Sequence, residues 1–240
     1  MKKTMYAPFS WLPTRLSSPS RLSSPSRPSS YAAISSLPLP LPLFLLLLLL
    51  LPLTASAQPA VALNTDGLDA QYVESIKGRS QKIVDGLALN DPVKAENVRN
   101  IIANRYFLLN SIHSKYDKTQ QDARDAELYK HHFELASALA AYLTDEQIDA
   151  VKDGMTYGRL KRDYNATLDM IPSLTDEEKL QVLIWLREAR EFAMDAADSK
   201  GKHAWFDKYR GRTNNWLSAR GYDLKKERDA WMKRNAARSK

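Results

Sequence analysis

The 240-residue chain has no cysteine, which excludes disulfides and a lipid-modified N-terminal cysteine. It has no acidic residue before Asp66, so Lys2, Lys3, Arg15, Arg21 and Arg27 stand unopposed. Setting those five aside from 35 Lys+Arg leaves 30 against 28 Asp+Glu, a net charge of about +2 for residues 58–240. The formal charge of +7 therefore belongs to the opening stretch, and nucleic acid is not an expected partner of the rest. Proline is scarce beyond residue 53, where only Pro59, Pro92 and Pro172 occur. Sustained alternation of apolar and polar residues is missing, which argues against a sheet. There is no His-x-x-x-His, Gly-rich phosphate loop or nucleophile elbow, so neither a metal nor a cofactor is expected.

What is present begins with an address. Residues 1–36 are rich in Ser, Pro and Arg and cannot bury a core. Leu37 to Leu53 is wholly apolar, and Ala55-Ser56-Ala57 follows as a small-x-small site. A positive start, an apolar run and an Ala-x-Ala site describe a secretory signal peptide, with cleavage between Ala57 and Gln58. A membrane anchor would need about 20 apolar residues, whereas Pro38, Pro40 and Pro42 confine a regular helix to Leu43–Leu51. A transit peptide would be amphipathic, which a poly-Leu run is not. The expected product is periplasmic or secreted, with no membrane association after cleavage. Residues 58–68 read as a short linker and 69–238 as one domain.

Within that domain, 3.6-residue periodicity recurs. Tyr72, Val73, Ile76, Ile83, Val84 and Leu87 make the stripe of a helix over 69–88. Asp91-Pro92 starts a second, since Pro at the first helical position loses no hydrogen bond; its stripe runs from Val98 through Arg105 to Tyr116. A third extends to Leu143. Thr144…Gln147 and Thr175…Glu178 are capping boxes, in which side chain and backbone satisfy each other at a helix start. They open a short helix that stops at Gly154 and a strong one over 176–196. A last pair covers 200–219 and 223–236, divided by Gly221. The predicted fold is all-α, a single compact multi-helix domain of about seven helices behind a cleaved signal peptide.

Five blocks carry a family resemblance: Leu109-Asn110-Ser111-Ile112-His113, Asp153 to Gly158, Leu168-Asp169-Met170-Ile171-Pro172, His203 to Leu217, and Gly221-Tyr222-Asp223. In this order they resemble the bacterial family of exported proteins called domain of unknown function 3826. The resemblance implies an exported helical protein from lineages that degrade polysaccharides, and it brings no catalytic residues with it. Residues 143–147 also match the Leu-Thr-x-x-Gln string of small helical periplasmic chaperones, but a capping box writes the same letters.

The segment 203–217 is the richest in candidate chemistry. On a helix Trp205, Tyr209, Arg212 and Trp216 share one stripe, and His203, Asp207, Arg210 and Asn214 share the next. Rings beside Arg212, Asn214 and Asn215 suit an oligosaccharide, whose C–H face packs on an aromatic while its hydroxyls need directed partners. The same rings serve equally as core. Gly211 inside this helix marks a kink or the close approach of another backbone. Tyr157, between two glycines, is placed to point into a cleft from a tight turn, or the turn is only a helix cap. His113, Asp153 and Asp169 are weaker candidates. His131-His132 and the basic tail from Lys225 are expected to be solvated, and Asp145, Glu146, Asp149 and Asp153 to form a charged outer face.

Three functions fit. The first is a carbohydrate-associated binding or accessory protein of polysaccharide degradation. The second is an enzyme acting on polysaccharide fragments with Asp153, Tyr157, His203 and Arg212 as its actors. The third is a periplasmic chaperone-like stress protein, which requires a large exposed apolar concavity. Oligomeric state is left open.

Overall fold

The computed structural model describes residues 59–238, so the expected signal peptide and its expected cleavage between Ala57 and Gln58 lie outside the described residues. The elements are α1 (Ala70–Asp85), α2 (Pro92–Lys115), α3 (Gln121–His131), α4 (Glu134–Ala140), α5 (Asp145–Met155), α6 (Arg159–Met170), α7 (Asp176–Met194), α8 (Ser199–Ala219) and α9 (Leu224–Arg238). No strand occurs among the described residues, and the domain is all-α.

Local chemistry sets most of the starts. Asp69 and Asp91 accept backbone N–H groups at the heads of α1 and α2, and both capping boxes are formed in full. Gly221, at φ +96°, takes the left-handed turn that ends α8. The residues read as a linker are strapped down: Asn97, Asn100 and Asn104 on α2 hydrogen-bond the backbone of Pro59, Val61, Ala62 and Asn64. Three asparagines at helical spacing thus hold an extended segment along one helix.

Of four apolar clusters among the described residues, the two largest position the site. The larger joins α1, α2, α4 and α5 through Ile76, Val84, Val98, Ile102, Leu139, Val151 and Met155. The smaller joins α6, α7 and α8 through Leu160, Val182, Leu186, Phe206 and Tyr209.

The structure departs from the seven-helix expectation in two places. The third helix breaks at His132-Phe133 because Arg105 takes the carbonyl oxygen of His131 at 2.9 Å, which a continuous helix would give to residue 135. An additional helix, α6, fills the stretch after Gly158; its apolar line is only Leu160, Tyr164 and Leu168, too narrow to stand out in sequence.

Three surface readings are corrected as well. His132 is not left to solvent, its Nδ1 lying 2.6 Å from an Asp195 carboxylate oxygen, while His131 is partly exposed and pairs with Glu134. Asp149 and Asp153 are not an idle outer face, since both receive the buried Arg190 guanidinium, at 2.7 and 2.9 Å. The basic tail docks, with Trp231 donating to Asp169 at 2.6 Å and Arg234 to the Asp169 and Met170 carbonyl oxygens at the end of α6.

Candidate functional site

The two stripes of α8 face different neighbours. Trp205, Tyr209, Arg212 and Trp216 all meet α7. Trp205 stacks on Phe192 at 4.6 Å, Trp216 meets Trp185 edge-on at 5.2 Å, and Arg212 lies over Trp185 at 4.7 Å. Tyr209 is only 6 % exposed, and its burial, with Glu188 beside it, pushes its hydroxyl up to about 12. The remaining ring surface is also occupied, with Lys208 over Trp205 and Arg220 over Trp216. Gly211 leaves α8 unbroken, and nothing lies within 4 Å of where its Cβ would stand, so it marks neither a kink nor a close approach.

Of the second stripe, His203 and Asp207 reach Arg159 on α6, while Arg210 is exposed and pairs with Asp207. The buried Arg159 guanidinium donates to Asp163 at 2.8 Å and Asp207 at 3.0 Å, and it lies 3.2 Å from His203 Nδ1. An arginine only donates, so this contact makes Nδ1 the acceptor and leaves the ring proton on Nε2. His203 then packs against Tyr157, ring centroids 5.4 Å apart. Asn214 is half-buried and Asn215 exposed.

Tyr157 occupies an unusual position. It follows α5 with φ +61°, in the left-handed region that a residue with a Cβ avoids, and Gly158 continues there at φ +62°. The Gly158 N–H reaches back to the Asp153 carbonyl oxygen at 2.8 Å, closing the turn. The result is a residue 47 % exposed.

Tyr157 borders a cavity of about 200 Å³. The wall comes from Tyr72, Ser75, Ile76 and Arg79 on α1, Tyr106, Leu109 and Asn110 on α2, and Ala196 to Ser199 with Lys202 at the start of α8. Sequence reasoning found Tyr157 and the neighbouring His113; it missed Arg79, Tyr106 and Lys202. Lys202 is 4 % exposed and donates to the Ala193 and Met194 carbonyl oxygens at 3.1 and 3.2 Å, capping α7. Burial pulls its ammonium down to about 8, and burial pushes the Tyr106 hydroxyl up to about 12.

Next to the cavity, the end of α7 is a closed polar hub. Arg105 and His132 both bind the Asp195 carboxylate, and His113 Nε2 lies 2.7 Å from the Asp195 carbonyl oxygen. His113 is thereby tied to the scaffold. Asp153 and Asp169 are engaged too, by Arg190 and by Trp231 with Arg238. A wider groove of about 630 Å³ runs past Ser137, Asp149, Lys152 and Arg187, but Asp149 is bound to Arg190 and Lys152 to Glu191. Of the four residues named for an enzyme, Tyr157 and His203 meet, while Asp153 and Arg212 belong to separate ion pairs.

No curated protein matches this chain. The family model described as protein of unknown function (DUF3826) matches residues 73–124 and 118–237. With nearly the whole described domain covered, the chain belongs to that family.

Proposed function

We propose that the chain is an exported, carbohydrate-associated binding protein that holds one sugar ring in the cavity walled by Tyr72, Tyr106 and Tyr157. The observation that carries this reading is the lining itself. Three tyrosine rings stand beside Ser75, Asn110 and Ser199, which together offer flat apolar surface and short neutral hydrogen-bonding groups. The volume, about 200 Å³, lies below the range of drug-sized sites and suits a group of roughly a dozen heavy atoms. Tyr157 contributes from a strained backbone, a feature that concentrates at ligand clamps.

Binding is favoured over hydrolysis because only Tyr157 of the four candidate actors lines this cavity. The chaperone reading has less to stand on. The exposed large apolar residues are spread over α2, α3, α7, α9 and two turns, and only Leu180, Ile184 and Phe192 share an element.

The test is a glycan array probed with the mature domain, followed by calorimetric titration of the hits. Replacing Tyr157 by Ala is expected to weaken binding about tenfold, the scale of one lost ring contact. A blank array, or a Tyr157→Ala protein that binds as tightly as the parent, would overturn the proposal.

A further inference from the structure

The cavity's charges are unbalanced, and the imbalance points to the class of sugar. Lys202 directs two of its three N–H donors to the Ala193 and Met194 carbonyl oxygens. Among the described residues no carboxylate lies within ion-pair distance of Lys202 or of Arg79, whose guanidinium sits over the Tyr106 ring at 5.5 Å. The nearby carboxylates are already committed. Asp195 is bound by Arg105 and His132, and Asp198 accepts the Gly201 N–H at 2.7 Å as the cap of α8. Two cations therefore line the cavity against one carboxylate, beside the first turn of a helix, whose free N–H groups add positive potential.

Burying a cation without an anionic partner is costly, and the cost is recovered when a ligand supplies the anion. Resting on the carbohydrate reading above, we infer that the sugar bound here is acidic, its carboxylate or sulfate ester held between Lys202 Nζ and the Arg79 guanidinium. The tyrosine rings then take the apolar face of the same ring, and Ser75, Asn110 and Ser199 its hydroxyls.

Calorimetric titration of the mature domain with matched probes tests this. A galacturonic acid oligomer and its methyl ester share backbone and linkage and differ in the methyl group that removes the charge, and a sulfated galactan with its desulfated form makes the second pair. The acidic member of at least one pair is expected to bind about ten- to a hundredfold more tightly, the range for hydrogen bonds to a charged group. Which pair shows the difference distinguishes carboxylate from sulfate ester. Arg79→Gln, at an exposed side chain, should remove most of the preference while leaving the fold intact; Lys202→Met should remove it too, with circular dichroism confirming its helices.

If acidic and neutral members bind alike, and Tyr157→Ala weakens both, the sugar reading stands and the acidic inference falls. If no probe binds in any form, or Tyr157→Ala has no effect, the site itself is wrong and the inference falls with it.

Discussion

Helix α8 borders two aromatic regions, its face against α7 and the cavity at its first turn, that look alike in composition and differ in what they leave unused. Along its middle, Trp205, Tyr209 and Trp216 lie against α7, where Phe192, Trp185 and the cations Lys208, Arg212 and Arg220 cover their faces. Arg212 is itself paired with Glu188. At its first turn, Tyr72, Tyr106 and Tyr157 surround a space, and Lys202 and Arg79 stand in its wall with no carboxylate in contact. Ring count therefore does not separate a binding surface from a packing surface. Unpaired charge does: on the α7–α8 face Arg212 and Arg220 pair with Glu188 and Glu178, whereas Arg79 and Lys202, both over the Tyr106 ring, meet no carboxylate among the described residues.

The most severe way to break the comparison is to remove what both regions share. Phe206 is 0 % exposed and fixes α8 in the smaller core, one turn from Lys202 and one turn from Tyr209. Phe206→Ala is expected to cost about 3–5 kcal/mol, a fall in melting temperature on the order of 10 °C for a domain of this size. Cavity and α7–α8 face should loosen together, read by near-ultraviolet dichroism and calorimetry. A loss below about 1 kcal/mol would mean that α8 is not packed as described.

The next test uses pH and reads the cavity through Lys202. Lys202 titrates near 8 in the fold against an ordinary 10.5, so between those values the unfolded chain binds more protons. Stability then rises with pH across that window, by at most about 1.4 kcal/mol per unit. The groups around Lys202 are Arg79 from α1, Arg105 and Tyr106 from α2, and Asp195 and Asp198 from the turn before α8. Tyr106, held near 12 instead of 10.0, opposes the trend only above about pH 10. Urea unfolding between pH 7.5 and 9.5 should show the rise in the parent and not in Lys202→Met. Binding of an acidic sugar should fall over the same interval, as the ammonium loses its charge.

Substituting on the α7–α8 face sharpens the contrast. Trp205→Ala removes the half-buried stack on Phe192 and should cost about 1–2 kcal/mol. Affinity at the cavity should be unchanged, checked by the same titrations. A matching loss of affinity would return the binding role to the 203–217 face.

Much of the helix plan was legible because its signals are local. The capping boxes at Thr144 and Thr175, the Asp91-Pro92 start and the Gly221 stop each act within a few residues, and all are formed. Where a distant group intervened, sequence reading failed. The break after His131 depends on Arg105, 26 positions away, and the tail docks only because Asp169 waits 62 positions before Trp231. The candidate site was legible at one residue, Tyr157, since two flanking glycines announce a turn. Arg79, Tyr106 and Lys202 come from three helices and carry no shared spacing; in sequence Lys202 is an ordinary lysine at a helix start.

The finest test concerns that one legible residue, because it should leave stability nearly untouched. Tyr157 holds φ +61°, where a side chain costs roughly 1–2 kcal/mol and glycine costs almost nothing. Tyr157→Gly relieves that strain and forfeits the packing on His203, a contact worth about 0.5–1.5 kcal/mol. The two effects nearly cancel, so the melting temperature should move by no more than about 3 °C, while ligand affinity drops as it does in Tyr157→Ala. A destabilisation above about 2 kcal/mol would instead make the ring a structural plug between α5 and α8. An unchanged melting temperature with affinity lost would mean that this turn keeps its strain in order to present the ring, which the α7–α8 face has no need to do.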